Sequence, residues 1–113
     1  MNQDATAAES RYMGLVSSMK CLICRRFPDL DTGLPVEVHH LGEGSSRQNN
    51  WLVAPLCGSK TDGGHHRGGA GLHGMGSKAF VRLYKVPHDT EYGLIAWLNE
   101  DIEARLGLQR KAA

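Results

Sequence analysis

The sequence predicts a small α+β domain held together by metal, and three observations carry that prediction. Helical periodicity is confined to the two ends of the chain and a stretch near residue 80, while 36–39 alternates like a strand and 51–56 is a short apolar run. All three cysteines, Cys21, Cys24 and Cys57, are interleaved with five of the six histidines, at His39-His40, His65-His66 and His73. At 113 residues the chain makes one domain with a modest core, so a metal cross-link would weigh heavily in its folding.

Taken in order, Ala7 to Met19 reads as a helix, with Tyr12, Leu15, Val16 and Met19 on one face behind a capping region at Asp4 and Thr6. It delivers the chain to Cys21. Phe27 to Pro35 is turn-rich, and Val36 to His39 is a strand that leaves His39 and His40 at its end, facing a polar loop over Gly42 to Asn50. Trp51 to Leu56 runs into Cys57. Eight glycines are scattered from Gly58 to Gly76, which excludes long regular elements there and offers backbone freedom and ligands. Ser77 reads as the N-cap of a helix over Lys78 to Val86, ended by Pro87. A last helix, about 90–106, carries Leu94, Ile95, Trp97, Leu98 and Ile102. The expected plan is one domain over 1–113 with a core at about 19–86, flanked by the first and last helices and with disordered termini. Trp51 and Trp97 are expected in the core, and His88 in a turn.

A formal net charge of +1 announces no global basic field. The N-terminal MNQDATAAESRYMG lacks the order of a signal peptide and no apolar run reaches membrane-spanning length, so a cytoplasmic protein with no membrane partner is expected. In that reducing compartment an odd cysteine count with a C-x-x-C pair favours metal thiolates over disulfides.

Two metal centres account for this ligand supply. Cys21 and Cys24 can turn onto one ion, Cys57 adds a third thiolate, and His65 is the expected fourth ligand of a structural zinc. The competing interpretation makes Cys21 and Cys24 a redox pair and Cys57 a buried apolar residue. Adjacent strand residues point to opposite sides, so one of His39 and His40 can bind a second metal while the other takes a proton. His66 and His73 would complete that second set, leaving positions open for water and a phosphate.

The ordered residues Cys21-x-x-Cys24, Val38-His39-His40, Asn50, Pro55-Leu56-Cys57, His65-His66-Arg67-Gly68 and Gly71-Leu72-His73-Gly74 resemble the HNH (ββα-metal) endonuclease superfamily. Within it they are most similar to the Ref-like, RecA-dependent recombination-enhancement nucleases of phages and prophages. The resemblance covers Met19 to Tyr84. It implies a zinc-stabilised ββα-metal core and a metal-dependent DNA endonuclease, with His40 as general base, His39 as its metal-binding neighbour, and His66 and His73 as metal ligands. Asn49 or Asn50 would orient the base. DNA, single- or double-stranded, and a RecA-DNA filament are the implied partners. The resemblance implies magnesium as the catalytic ion, whereas imidazole ligands suit Zn, Mn, Ni or Co. The segment GSKTDGG between Cys57 and His65 is longer than usual for such a zinc site. Arg25, Arg26, Arg47, Lys60, Arg67, Lys78, Arg82 and Lys85 lie around the motif residues and could hold phosphates, while Glu91, Glu100, Asp101 and Glu103 are assigned to the last helix. The alternative function is a non-catalytic zinc-dependent module that binds nucleic acid or protein.

Overall fold

The computed structural model describes residues 5–42 and 49–107. Arg47, most of the polar loop and the termini expected to be disordered lie outside them. Helix α1 spans Ala7–Ser17. Thr6 caps it through a reciprocal pair, in which the Glu9 N–H donates to Thr6 Oγ1 at 3.1 Å and the Thr6 N–H to Glu9 Oε1 at 2.7 Å. Val16 and Met19 bury one face of this segment, with Tyr12 and Leu15 half-buried beside them. Helix α2, Leu22–Arg26, buries Leu22, Ile23 and Cys24, and a 3-10 turn at Pro28–Leu30 follows.

Strands β1 (Val36–His40) and β2 (Val53–Cys57) pair antiparallel, with Val36 opposite Cys57 and His40 opposite Val53. β2 is buried throughout, with α1, α2 and the C-terminal helix packed against it. The two-residue period of a strand puts Glu37 and His39 on one side of β1, and Val38 and His40 on the other. Then come two single-turn helices, α3 (Gly64–Arg67) and α4 (Leu72–Met75), followed by α5 (Ser77–Tyr84). Two 3-10 turns, Pro87–Asp89 and Glu91–Gly93, lead to α6, Leu94–Arg105. Leu22, Ile23, Leu56, Leu72, Phe80, Leu94 and Leu98 form the centre of the core. Among the described residues no helix is long and apolar enough to cross a membrane.

The glycine-rich segment differs from its sequence expectation. Its glycines serve close packing more than freedom: a β-carbon on Gly71 would stand 2.7 Å from the Gly64 carbonyl oxygen, and one on Gly64 2.6 Å from that of Cys57. Gly64 also has φ +52, a conformation costly for other residues. These positions let α3 and α4 close on each other and on the end of β2.

Helix boundaries shift for local reasons. The first helix ends at Ser17, before Met19. Ser77 begins α5 rather than capping it, because Gly76 (φ 88) holds the N-cap position. The helix ends at Tyr84, two residues before Val86, because Lys85 turns left-handed (φ 56) and Val86 is extended ahead of Pro87. Thr90 caps a 3-10 turn, its Oγ1 accepting from the Tyr92 N–H at 3.2 Å, so the last α-helix starts at Leu94. Trp51 lies in the turn before β2 and is 48% exposed, its ring tilted against that of Tyr12 at 5.3 Å, so it is not a core residue. Trp97 packs against the core as expected.

Arg26 is engaged by Asp101, and Arg25 in part. Asp101 is buried, and Arg26 donates to both its oxygens, at 2.9 and 2.8 Å, while Arg25 Nε approaches at 3.2 Å. Arg26 also donates to the Trp97 carbonyl at 3.0 Å and lies 4.8 Å from that ring's centroid. This ties α6 to α2, the helix that carries Cys24. Removing the fork leaves a buried carboxylate short of its main partner, so Arg26→Ala is expected to lower stability by about 3 kcal/mol. Arg25→Ala, at a half-exposed guanidinium, should lower it by less than about 1 kcal/mol. Urea midpoints at unchanged slope measure both; equal effects would refute the assignment.

Candidate metal centres

Cys21, Cys24, Cys57 and His65 meet in one buried cluster. Cys21 caps α2 and Cys24 lies one turn on, so the helix itself brings two thiols to one side. Cys57 ends β2, and α3 folds back to place His65 Nδ1 3.7, 3.5 and 3.2 Å from the sulfurs of Cys21, Cys24 and Cys57. The Cys24 and Cys57 sulfurs are 3.7 Å apart. A tetrahedral zinc with ordinary bond lengths requires S···S edges of ~3.8 Å and S···N edges of ~3.5 Å. The four donors therefore fit a metal such as zinc, and His65 takes the fourth position despite the long segment before it. Thr32 Oγ1 and the His65 N–H donate to Cys57 Sγ at 3.1 and 3.4 Å, which supports a thiolate there. Burial pushes the Cys21 thiol up to about 12 and raises that of Cys24, so these thiolates depend on a cation. Burial also lowers the pKa of His65, which favours the neutral imidazole a metal needs.

A second cluster joins His39, His66 and His73, whose nearest ligand atoms all lie within 4.8 Å of one another. They come from β1, α3 and α4. His39 and His66 are buried and His73 is exposed, so the cluster opens to solvent on one side. His39 Nδ1 is 3.2 Å from His66 Nε2, close to the ~3.3 Å edge of a tetrahedral site with imidazole ligands. Burial lowers His66 more than the neighbouring Glu37 raises it, so its ring is neutral and fit to ligate. Three nitrogens with open positions is the donor pattern of a catalytic centre rather than a closed structural one.

His40 points from the other side of β1 and is half-buried. Its Nε2 is 2.9 Å from Asn50 Oδ1. Asn49 is used differently: its Oδ1 accepts from the Trp51 N–H at 2.9 Å and its carbonyl from the Leu52 N–H at 3.0 Å, shaping the turn into β2. Of the two asparagines, Asn50 is the one that reaches His40.

Two carboxylates were missed from sequence. Glu91, expected in the last helix, sits in the Glu91–Gly93 turn, buried, with Oε2 3.1 Å from His39 Nε2. Glu37 Oε1 is 2.9 Å from His66 Nδ1 and 3.7 Å from Arg67 Nε. Glu37 could have been found, since Glu37-x-His39 share a strand face; Glu91 carries no local signal. Arg67 thus has an acidic neighbour, whereas Lys60, Lys78, Arg82 and Lys85 are exposed.

Thiolate ligation couples metal to folding. Cys24→Ser is expected to lose one zinc per chain and several kcal/mol of stability. Metal content and thermal melting of one preparation check this, and equal melting of metal-free and metal-loaded protein would refute it.

No curated protein and no solved structure matches the chain. A family model described as recombination enhancement, RecA-dependent nuclease, matches residues 5–102, which include every ligand of both clusters. The chain therefore belongs to the recombination-enhancement, RecA-dependent nuclease family.

Proposed function

We propose that this protein is a metal-dependent DNA endonuclease with an HNH (ββα-metal) centre, used in phage or prophage recombination or repair on DNA associated with RecA filaments. One observation carries the reading: the adjacent His39 and His40 divide into two environments, His39 in the three-imidazole cluster and His40 against Asn50. The β1–β2 hairpin followed by α3 and α4 is the order of elements a ββα-metal centre needs. Family membership supplies the nuclease class and the link to RecA.

In this reading Asn50 Oδ1 accepts the Nε2–H of His40, which leaves His40 Nδ1 bare to take a proton. That nitrogen removes a proton from water as the water oxygen attacks phosphorus. The P–O3′ bond breaks and the departing 3′ oxygen is protonated from solvent. A divalent cation held by His39, His66 and His73 would supply positive charge to a non-bridging phosphate oxygen and to the leaving oxygen. His73, on the exposed rim, leaves that centre accessible to a phosphate. Lys60, Lys78, Arg82 and Lys85 are available for phosphate contacts, which position DNA without reading its sequence. Cys21, Cys24, Cys57 and His65 would hold structural zinc, which takes no part in the chemistry.

His40→Ala is expected to cut plasmid nicking by about 10²-fold or more while zinc content, fold and DNA binding stay as they are. His73→Ala should also lose nicking, with weaker binding of the second metal and the cysteine-bound zinc retained. Nicking of supercoiled and single-stranded DNA is followed with Mg, Mn, Co, Ni and Zn, with and without RecA. A folded His40→Ala protein that nicks at the parental rate would remove His40 from the reaction, and DNA binding without cleavage under every metal would leave a binding module.

A further inference from the structure

Each buried imidazole of the second cluster has a carboxylate on its outer nitrogen. His39 Nε2 lies 3.1 Å from Glu91 Oε2, and His66 Nδ1 lies 2.9 Å from Glu37 Oε1. An ionised carboxylate only accepts, so in both pairs the ring N–H is the donor. A neutral His39 then carries its proton on Nε2 and a neutral His66 on Nδ1. The remaining nitrogens, His39 Nδ1 and His66 Nε2, are bare and face each other at 3.2 Å. Two lone pairs at that separation repel unless positive charge lies between them, either a trapped proton or a metal cation. Two carboxylates behind two ligands also match the charge of a divalent ion, and such partners orient the rings and raise their basicity.

Resting on the reading of this centre given above, we infer that Glu91 and Glu37 are positioning residues. They set the tautomers of His39 and His66 so that the centre takes a divalent cation of the imidazole-binding kind (zinc, cobalt, nickel or manganese) in preference to magnesium. The two residues reach the centre by different routes. Glu37 is two residues before His39 on the same side of β1, while Glu91 is delivered by the turn before α6, 52 residues away from His39. The C-terminal segment therefore contributes to the centre although it supplies no direct ligand.

The test uses protein loaded with zinc at the cysteine centre and titrated with Co²⁺, whose visible absorption reports imidazole ligation. Glu91→Ala and Glu37→Ala are each expected to weaken Co²⁺ binding about 10- to 100-fold, with zinc content and circular dichroism unchanged and with partial recovery in Glu91→Gln. Excess Mg²⁺ should not displace Co²⁺. Before cobalt is added, ¹⁵N imidazole spectra of the parent should show Nε2–H on His39 and Nδ1–H on His66, and each alanine variant should lose the preference of its own histidine. If Glu91→Ala fails to fold, Glu37→Ala, at the more exposed carboxylate, carries the measurement. Unchanged Co²⁺ affinity in the folded variants, displacement by Mg²⁺, or a His39 that carries its proton on Nδ1 and not on Nε2 in the parent would overturn the inference. A parent that binds Co²⁺ in this way but cleaves no DNA would sink the nuclease reading and leave the positioning role intact; cleavage that survives with unweakened metal in both alanine variants would do the reverse.

Discussion

Four donor atoms from three separate stretches of chain, gathered at the Cys21, Cys24, Cys57 and His65 cluster, are the constraint on which the rest depends. They join the start of α2, the end of β2 and the first turn of α3, two pieces packed in the core and a third that is a single short turn. A helix of four residues does not hold itself together in water, because nucleation costs more than one turn returns. Anchoring His65 to three sulfurs fixes that turn. Because His66 is the next residue, the same anchor orients an imidazole toward the second cluster, so the structural centre also positions the candidate catalytic one.

The chain uses two His-His pairs, and backbone geometry decides how each divides its work. On β1 successive side chains point to opposite sides, which sends His39 into the buried cluster and leaves His40 beside Asn50. On α3 successive side chains diverge by about 100°, which sends His65 to the sulfurs and His66 to His39. Each pair thus connects two environments. The glycines at 64 and 71 make this possible by letting backbone approach backbone where any side chain would intrude.

The C-terminal segment closes the arrangement from outside. Through Asp101 it holds Arg26 and therefore the helix that bears Cys24; through Glu91 it reaches His39. An acidic stretch opposite basic motif residues would ordinarily be a solvated face of weak ion pairs. Here two of its carboxylates are buried against specific partners, Glu91 against His39 and Asp101 against Arg26.

Local sequence determined most of the elements and which cysteines and histidines gather into the two clusters. The spacing of Cys21 and Cys24, the approach of His65 after Cys57, the alternation that separates His39 from His40, and the cap at Thr6 are short-range properties of a chain with fixed bond geometry. The tertiary structure alone decided that Asn50 rather than Asn49 meets His40, that Trp51 stays outside the core, and that Glu91 stands behind His39. It also decided that Arg25 and Arg26 serve Asp101. Those outcomes depend on which turns bring distant segments together, and pairings across 52 or 75 residues leave no periodicity for the sequence to display.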